Sequence, residues 1–251
     1  MAKKARTPAP PRPVQAPQRR DGKPKRVPAV GAQQQRPWLL YGFAALGPIA
    51  LLVVVLVIFL GRGNSSTKTV TGAAPTGINY ATLPGLQKGK APWPPEYGSL
   101  PDRLAPLQLS SLSMQGTKLH IHQHLDIFVN GKHVTVPALI GIYGNGDPNN
   151  GGFFVELHTH DGTGIMHVES PKVQAFTLGQ FFGVWGVRLS QSCVGGYCAT
   201  ATNPLRFFVN GKRFVGDPNN IVLREHQEFA IVYGKPPAKI PSSYNWGPTG
   251  L

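Results

Sequence analysis

The sequence predicts a β-rich α+β domain held outside the cytoplasm by a single transmembrane helix. Three observations predict it. Residues 38–60 form an uncharged apolar run. Apolar and polar residues alternate through 119–140, 153–160 and 205–215, with Asn-Gly steps at Asn130-Gly131 and Asn210-Gly211. One stretch, FTLGQFFGVWG from Phe176, carries helix-start chemistry instead.

Residues 1–36 hold ten Lys/Arg against the single acid Asp21, while the rest of the chain holds fifteen against ten. Most of the +14 net charge therefore sits in this tail, which is rich in Pro, Gln and Ala and lacks aromatic residues. Such a composition cannot bury enough apolar surface to offset its ordering entropy, so disorder is expected. The charge is read as a topology signal that also touches anionic lipid, and nucleic acid is not an expected partner.

Residues 37–60 are expected to be the membrane helix. The 23-residue run WLLYGFAALGPIALLVVVLVIFL is uncharged. At 1.5 Å per residue it spans roughly 34 Å, enough for a bilayer core of about 30 Å. Excess Lys/Arg on the N-terminal side places that side in the cytoplasm and residues after the helix outside the cytoplasm. A cleaved signal peptide fits less well, because the charged region and the apolar run are both too long and no A-x-A site follows directly. Residues 61–104, rich in Gly, Pro, Ser and Thr, read as a linker, with Trp93 docking where the domain starts. The folded domain is expected over 105–240 and a short tail over 241–251.

Asn-Gly between alternating runs is a strong hairpin signal, a type I′ turn. A two-residue turn at Asn130-Gly131 sets Phe128 opposite His133, Ile127 opposite Val134, Leu125 opposite Val136 and Ile121 opposite Ile140. One face then collects Ile121, Leu125, Ile127, Val129, Val134, Val136, Ala138 and Ile140, and the other collects His120, His122, His124, Asp126, Phe128, His133 and Thr135. In FFVELHTH, Phe154, Glu156, His158 and His160 share a face. A turn at 161–164 would set His158 opposite His167. Thr177 and Gln180 form a capping-box pair at the helix start. LRFFVNGKRFV makes the second hairpin, and FAIVY, 229–233, is the last strand. FVNGK and GDPNN each occur twice. Duplication and shared turn chemistry explain the repeats equally well.

The chemistry lies in the histidines. Seven of the eight fall between His120 and His167. Strand residues i, i+2 and i+4 point the same way, so His120, His122 and His124 can meet His158, His160 and His167 from neighbouring strands. Three such imidazoles around an ion leave a position for water, as in zinc enzymes, and neutral imidazole also suits copper. Asp126, Glu156, Asp161 and Glu169 are expected beside them, as ligands or as groups that orient the rings. Opposed Glu156 and Glu169 would repel each other unless a cation lay between them. His133 and His226 read as solvated. Six histidines allow one site or two, and the absence of cysteine from the cluster excludes a blue-copper centre. The other readings are a solvated, pH-titrating face, a zinc hydrolase or lyase with Glu156 or Asp161 as base, and an envelope module whose Pro-rich ends engage a protein partner. Cys193 and Cys198 read as a disulfide outside the cytoplasm. No phosphate-binding loop, nucleophile elbow or dinucleotide fingerprint is present.

HIHQHLDIFVNGK, LHTHDGTGIMHVESP, FTLGQFFGVWGVRL and FVNGKR together resemble a family of uncharacterised, mostly actinobacterial, membrane-anchored proteins over roughly residues 92–247. The resemblance implies that the H-x-H-x-H, L-H-T-H-D and I-x-H-V-E strings belong to the domain's pattern, and it implies no activity. The helix, FVNGK and final strand also look like part of a β-grasp unit, a fold analogy only.

Overall fold

A computed structural model describes residues 70 and 72–247. The basic tail, the expected membrane helix, most of residues 61–71 and the last four residues lie outside this range. Among the described residues no helix is long and apolar enough to cross a membrane.

A 3₁₀ turn at Tyr80–Thr82 precedes a short helix α1 (Leu100–Leu104). Seven strands follow: β1 (Ser111–Leu112), β2 (Leu119–Val129), β3 (Lys132–Val134), β4 (Ile142–Tyr143), β5 (Phe153–Val155), β6 (Leu157–His158) and β7 (Ile165–Ser170). Then come α2 (Leu178–Trp185), β8 (Cys193–Val194), β9 (Tyr197–Cys198), β10 (Leu205–Val209), β11 (Lys212–Phe214) and β12 (Gln227–Tyr233). The main sheet runs β11-β10-β12-β2-β7-β6, with β3 also paired to β2, and small sheets form from β1-β5-β4 and β8-β9. The expected β-rich α+β class holds.

Both Asn-Gly steps turn as expected. Asn130 and Gly131 have φ of 50° and 80°, and Asn210 and Gly211 have 51° and 73°. A type I′ turn requires positive φ at both central positions, which these residues tolerate. The first hairpin has the expected register from Val129↔Lys132 to Ile127↔Val134 and then stops. The expected pairs Leu125–Val136 and Ile121–Ile140 do not form. Instead β2 changes partner: Leu125 N donates to Gly164 O, and Ile121 lies opposite Val168 of β7. Pro137, which cannot donate to a ladder, sits just beyond the point where β3 ends. Both GDPNN strings make the same local turn, Asp147 and Asp217 each accepting from the backbone N–H two residues on, at 3.0 Å.

The apolar side of β2 (Leu119, Ile121, Leu125 and Ile127) is buried in one core with Phe176, Phe181, Phe182 and Trp185. The α2 capping box is present: Thr177 Oγ1 accepts from Gln180 N, and Gln180 Oε1 accepts from Thr177 N. Gly186, in the left-handed region at φ 76°, ends the helix.

The segment expected to be a linker packs into this core between Leu83 and Leu104. Leu83, Trp93, Leu100 and Leu104 are buried. Trp93 meets Trp185 edge-on at 5.9 Å and accepts that indole's N–H on its carbonyl at 3.0 Å. Arg103, with no exposed side-chain surface, pairs with Glu96 and donates to the carbonyls of Pro84 and Val184. The segment's apolar residues follow neither helical nor strand periodicity, so its order comes from tertiary docking. Cys193 and Cys198 form the expected disulfide, directly opposite each other in β8 and β9.

Candidate metal centre

Adjacent antiparallel strands align three histidines in one transverse row. His122 on β2 lies opposite His167 on β7, and His167 lies opposite His158 on β6. The ring centroids of His122 and His167 are 4.7 Å apart, and those of His158 and His167 stack at 5.5 Å. One step along, His120 faces Glu169. His160, just past β6, returns to within 4.5 Å of the His167 ring. Of the 120–124 group, His120 and His122 meet the 158–167 group as expected and His124 does not, and the expected His158–His167 pairing is present.

Glu169 is the hub. Its Oε1 lies 3.2 Å from His120 Nε2, 3.4 Å from His167 Nδ1 and 3.7 Å from His158 Nε2. Burial pushes its pKa up, but hydrogen bonding and the charges of these imidazoles win, so the carboxylate is held well below its ordinary range. His160 and His167 move the other way for rings. Burial, and then the neighbouring histidines, lower both pKa values and favour the neutral form. Neutral imidazole is the metal-binding form.

Ring orientation is also set. His158 Nδ1 lies 2.9 Å from Val155 O. A carbonyl only accepts, so Nδ1 carries the proton and, in the neutral ring, Nε2 keeps the lone pair. That Nε2 points at Gln115. The Gln115 side-chain amide nitrogen lies 3.3 Å from His158 Nε2 and 3.1 Å from His160 Nε2. It donates to both rings from the position a bridging cation would take. The Nδ1 of His167 is buried and faces Glu169 Oε1 at 3.4 Å without forming a well-aligned hydrogen bond.

The candidate ligand atoms fall into three groups, each with its members within 4.8 Å of one another. They are His158, His160, His167 and Glu169; His120, His122 and His167; and His124, Asp126 and Glu228. The first two share His167 and make one continuous cluster. These histidine and acidic groups could hold a metal ion.

His124 stands apart from that cluster. Its Nδ1 is 2.9 Å from Glu228 Oε2 and its Nε2 is 2.9 Å from Thr163 O. With Glu228 ionised, an acceptor faces each nitrogen and the ring donates twice, as imidazolium; burial raises the Glu228 pKa at the same time. Burial opposes that charge, but Glu228 and the Thr163 carbonyl outweigh it and raise the pKa. As it stands His124 is an ion-pair partner with no free lone pair. Asp126, expected beside the site, accepts from His133 at 2.8 Å and belongs to this second network.

Two other expected carboxylates take different work. The chain changes sheets at Glu156, between β5 and β6, which breaks the strand alternation there. The Glu156 carboxylate accepts from Ser110 N at 3.1 Å, and burial raises its pKa. Glu156 and Glu169 thus turn to separate partners, and the expected repulsion between them gives no argument for a cation. Asp161 caps its own loop, accepting from Thr163 N at 3.0 Å. His133, expected to be solvated, is about half exposed and paired to Asp126. His226 lies beside Glu225, with its ring stacked on Trp246.

Four residues of this face were missed. Glu228 arrives through the parallel pairing of β12 with β2, which sets it beside His124. Its place in an alternating strand, QEFAIVY, is the signal that could have found it. Tyr244 stacks on His124 at 4.1 Å, and Trp246 lies 6.4 Å from His122. The segment expected to be a tail therefore covers part of the histidine face. Gln115, in a loop, had no signal. No protein-family model, curated protein or solved structure matches the chain.

Proposed function

We propose that this chain is a membrane-anchored, extracytoplasmic metal-binding protein that takes zinc or copper through the histidine cluster around Glu169. The observation that carries the reading is the transverse row His122–His167–His158, with Glu169 one step along β7 and within 3.7 Å of His120, His158 and His167. Structural polar faces seldom gather this many imidazoles around one ionised carboxylate. Imidazole nitrogen with a single carboxylate suits Zn²⁺ and copper better than Ca²⁺ or Mg²⁺, which take oxygen ligands. The hydrolase reading lacks a base, since Glu156 and Asp161 are occupied with Ser110 and Thr163.

The anchor rests on the uncharged run 38–60 and its basic flank. The Cys193–Cys198 disulfide agrees with an oxidising compartment. The hairpin β2–β3, α2, the hairpin β10–β11 and β12 parallel to β2 would form a β-grasp unit, with β4 to β7 inserted.

The test is elemental analysis of the full chain, extracted in detergent and purified without a histidine tag, beside the double variant His158→Ala/His167→Ala. Metal in the first and a large loss in the second supports the reading. Equal metal in both, or none in either, removes it.

A further inference from the structure

We propose that the cluster holds two metal ions, one on each side of His167, with Glu169 as the ligand between them. This rests on the metal-binding reading and adds stoichiometry and the class of ion.

Six donors gather here, His120, His122, His158, His160, His167 and Glu169, whereas a tetrahedral ion uses four. The donors converge on two points. His158 and His160 aim their Nε2 atoms at one, marked by the Gln115 amide nitrogen. His120 and His122 bring their Nε2 atoms to 3.0 Å on the other side of β7. Two ligands about 2.0–2.1 Å from one tetrahedral ion lie roughly 3.3 Å apart, so this pair needs little movement to share an ion. The two pairs come from strands that flank β7, and among the described residues no set of donor atoms within 4.8 Å of one another contains both pairs. Glu169 Oε1 reaches both pairs, 3.2 Å from His120 and 3.7 Å from His158. A carboxylate has two oxygens, one for each ion, which is the bridging role in paired-metal sites with ions about 3.5–4 Å apart. His167, common to both groups, completes whichever ion it faces.

Charge selects the ion. Two divalent ions beside one carboxylate leave three uncompensated positive charges in a partly buried site. Two Cu(I) ions leave one. On charge alone the double site is easier to fill with Cu(I), which neutral imidazoles also accept.

The probe is Cu(I) alone, added anaerobically to the full chain in detergent. Copper retained after desalting is counted for the wild type and for His120→Ala and His160→Ala. Both side chains are exposed, so the fold should survive, and the far-ultraviolet circular dichroism of each variant checks this. Two coppers per chain in the wild type and one in each folded variant support the proposal. One copper in the wild type overturns it and leaves the metal-binding reading intact. Two in the wild type and still two in both variants places the second ion elsewhere and also overturns it. No copper in any form overturns the proposal, and the elemental analysis above then decides whether the metal-binding reading stands.

Discussion

Replacing Gln115 by Ala should tighten metal binding, although Gln115 touches the centre. The reason is positional. Its amide nitrogen sits 3.3 Å and 3.1 Å from the two Nε2 atoms of His158 and His160. An ion about 2.0–2.1 Å from both nitrogens would overlap it, so the amide must leave before metal enters. Each neutral hydrogen bond contributes about 1 kcal/mol, so the metal-free form would be favoured by roughly 2 kcal/mol. Freeing the glutamine side chain returns about 1 kcal/mol of that as rotamer entropy. The net preference of roughly 1 kcal/mol corresponds to about fivefold tighter Zn²⁺ binding in Gln115→Ala. Competition against a chelator of known affinity, at fixed pH with detergent-extracted full chain, measures it. Unchanged affinity would refute the displacement argument. Weaker binding would also refute it, and would mean that the amide turns over and ligates the ion through its oxygen.

Arg103→Ala removes one partner of a buried ion pair and should cost about 3 kcal/mol or more, seen as a fall in Tm of roughly 6–12 °C. An unchanged Tm would show that the segment before residue 105 is not part of the folded unit. Gln123 is fully buried on the apolar side of β2, and neither of its side-chain polar atoms has a hydrogen-bond partner. Gln123→Met should therefore stabilise the domain by about 1–3 kcal/mol, and a denaturant midpoint shifted downward would count against this account. For pH, His160 and His167 have folded pKa values below the ordinary value of about 6.5. Below that value the unfolded chain binds more of these protons than the folded one, so their contribution to stability falls as pH drops from about 6.5 through the folded values. His124 has the opposite sign, since its raised pKa gives stability that is lost as pH rises through the folded value. Ring-proton NMR titration of the metal-free protein should put the midpoints of His160 and His167 below 6.5 and that of His124 above it. A common midpoint for all three would show that the networks do not separate them.

Several features of the site could be read directly because they depend on residues a few positions apart. Asn130-Gly131 and Asn210-Gly211 fix two hairpins through positive φ. Strand alternation puts His120, His122 and His124 on one face, and the short turn after His160 sets His158 against His167. Thr177 and Gln180 start α2 with each other's side chains. All of this follows from local dihedral preferences and a period of two, which any short window of sequence carries.

Tertiary structure decided which segments became neighbours. Closing a long loop costs little more than closing a shorter one, so the sequence gives no local sign that β2 leaves β3 for β7 or that β12 pairs with it in parallel. Those choices separate His124, beside Glu228, from His120, His122, His158, His160 and His167, which cluster with Glu169. Glu156 could not be assigned by alternation because the chain changes sheets at that residue. Gln115 and the segment from Leu83 to Leu104 have no periodicity to read, and they are placed only by the surfaces they meet.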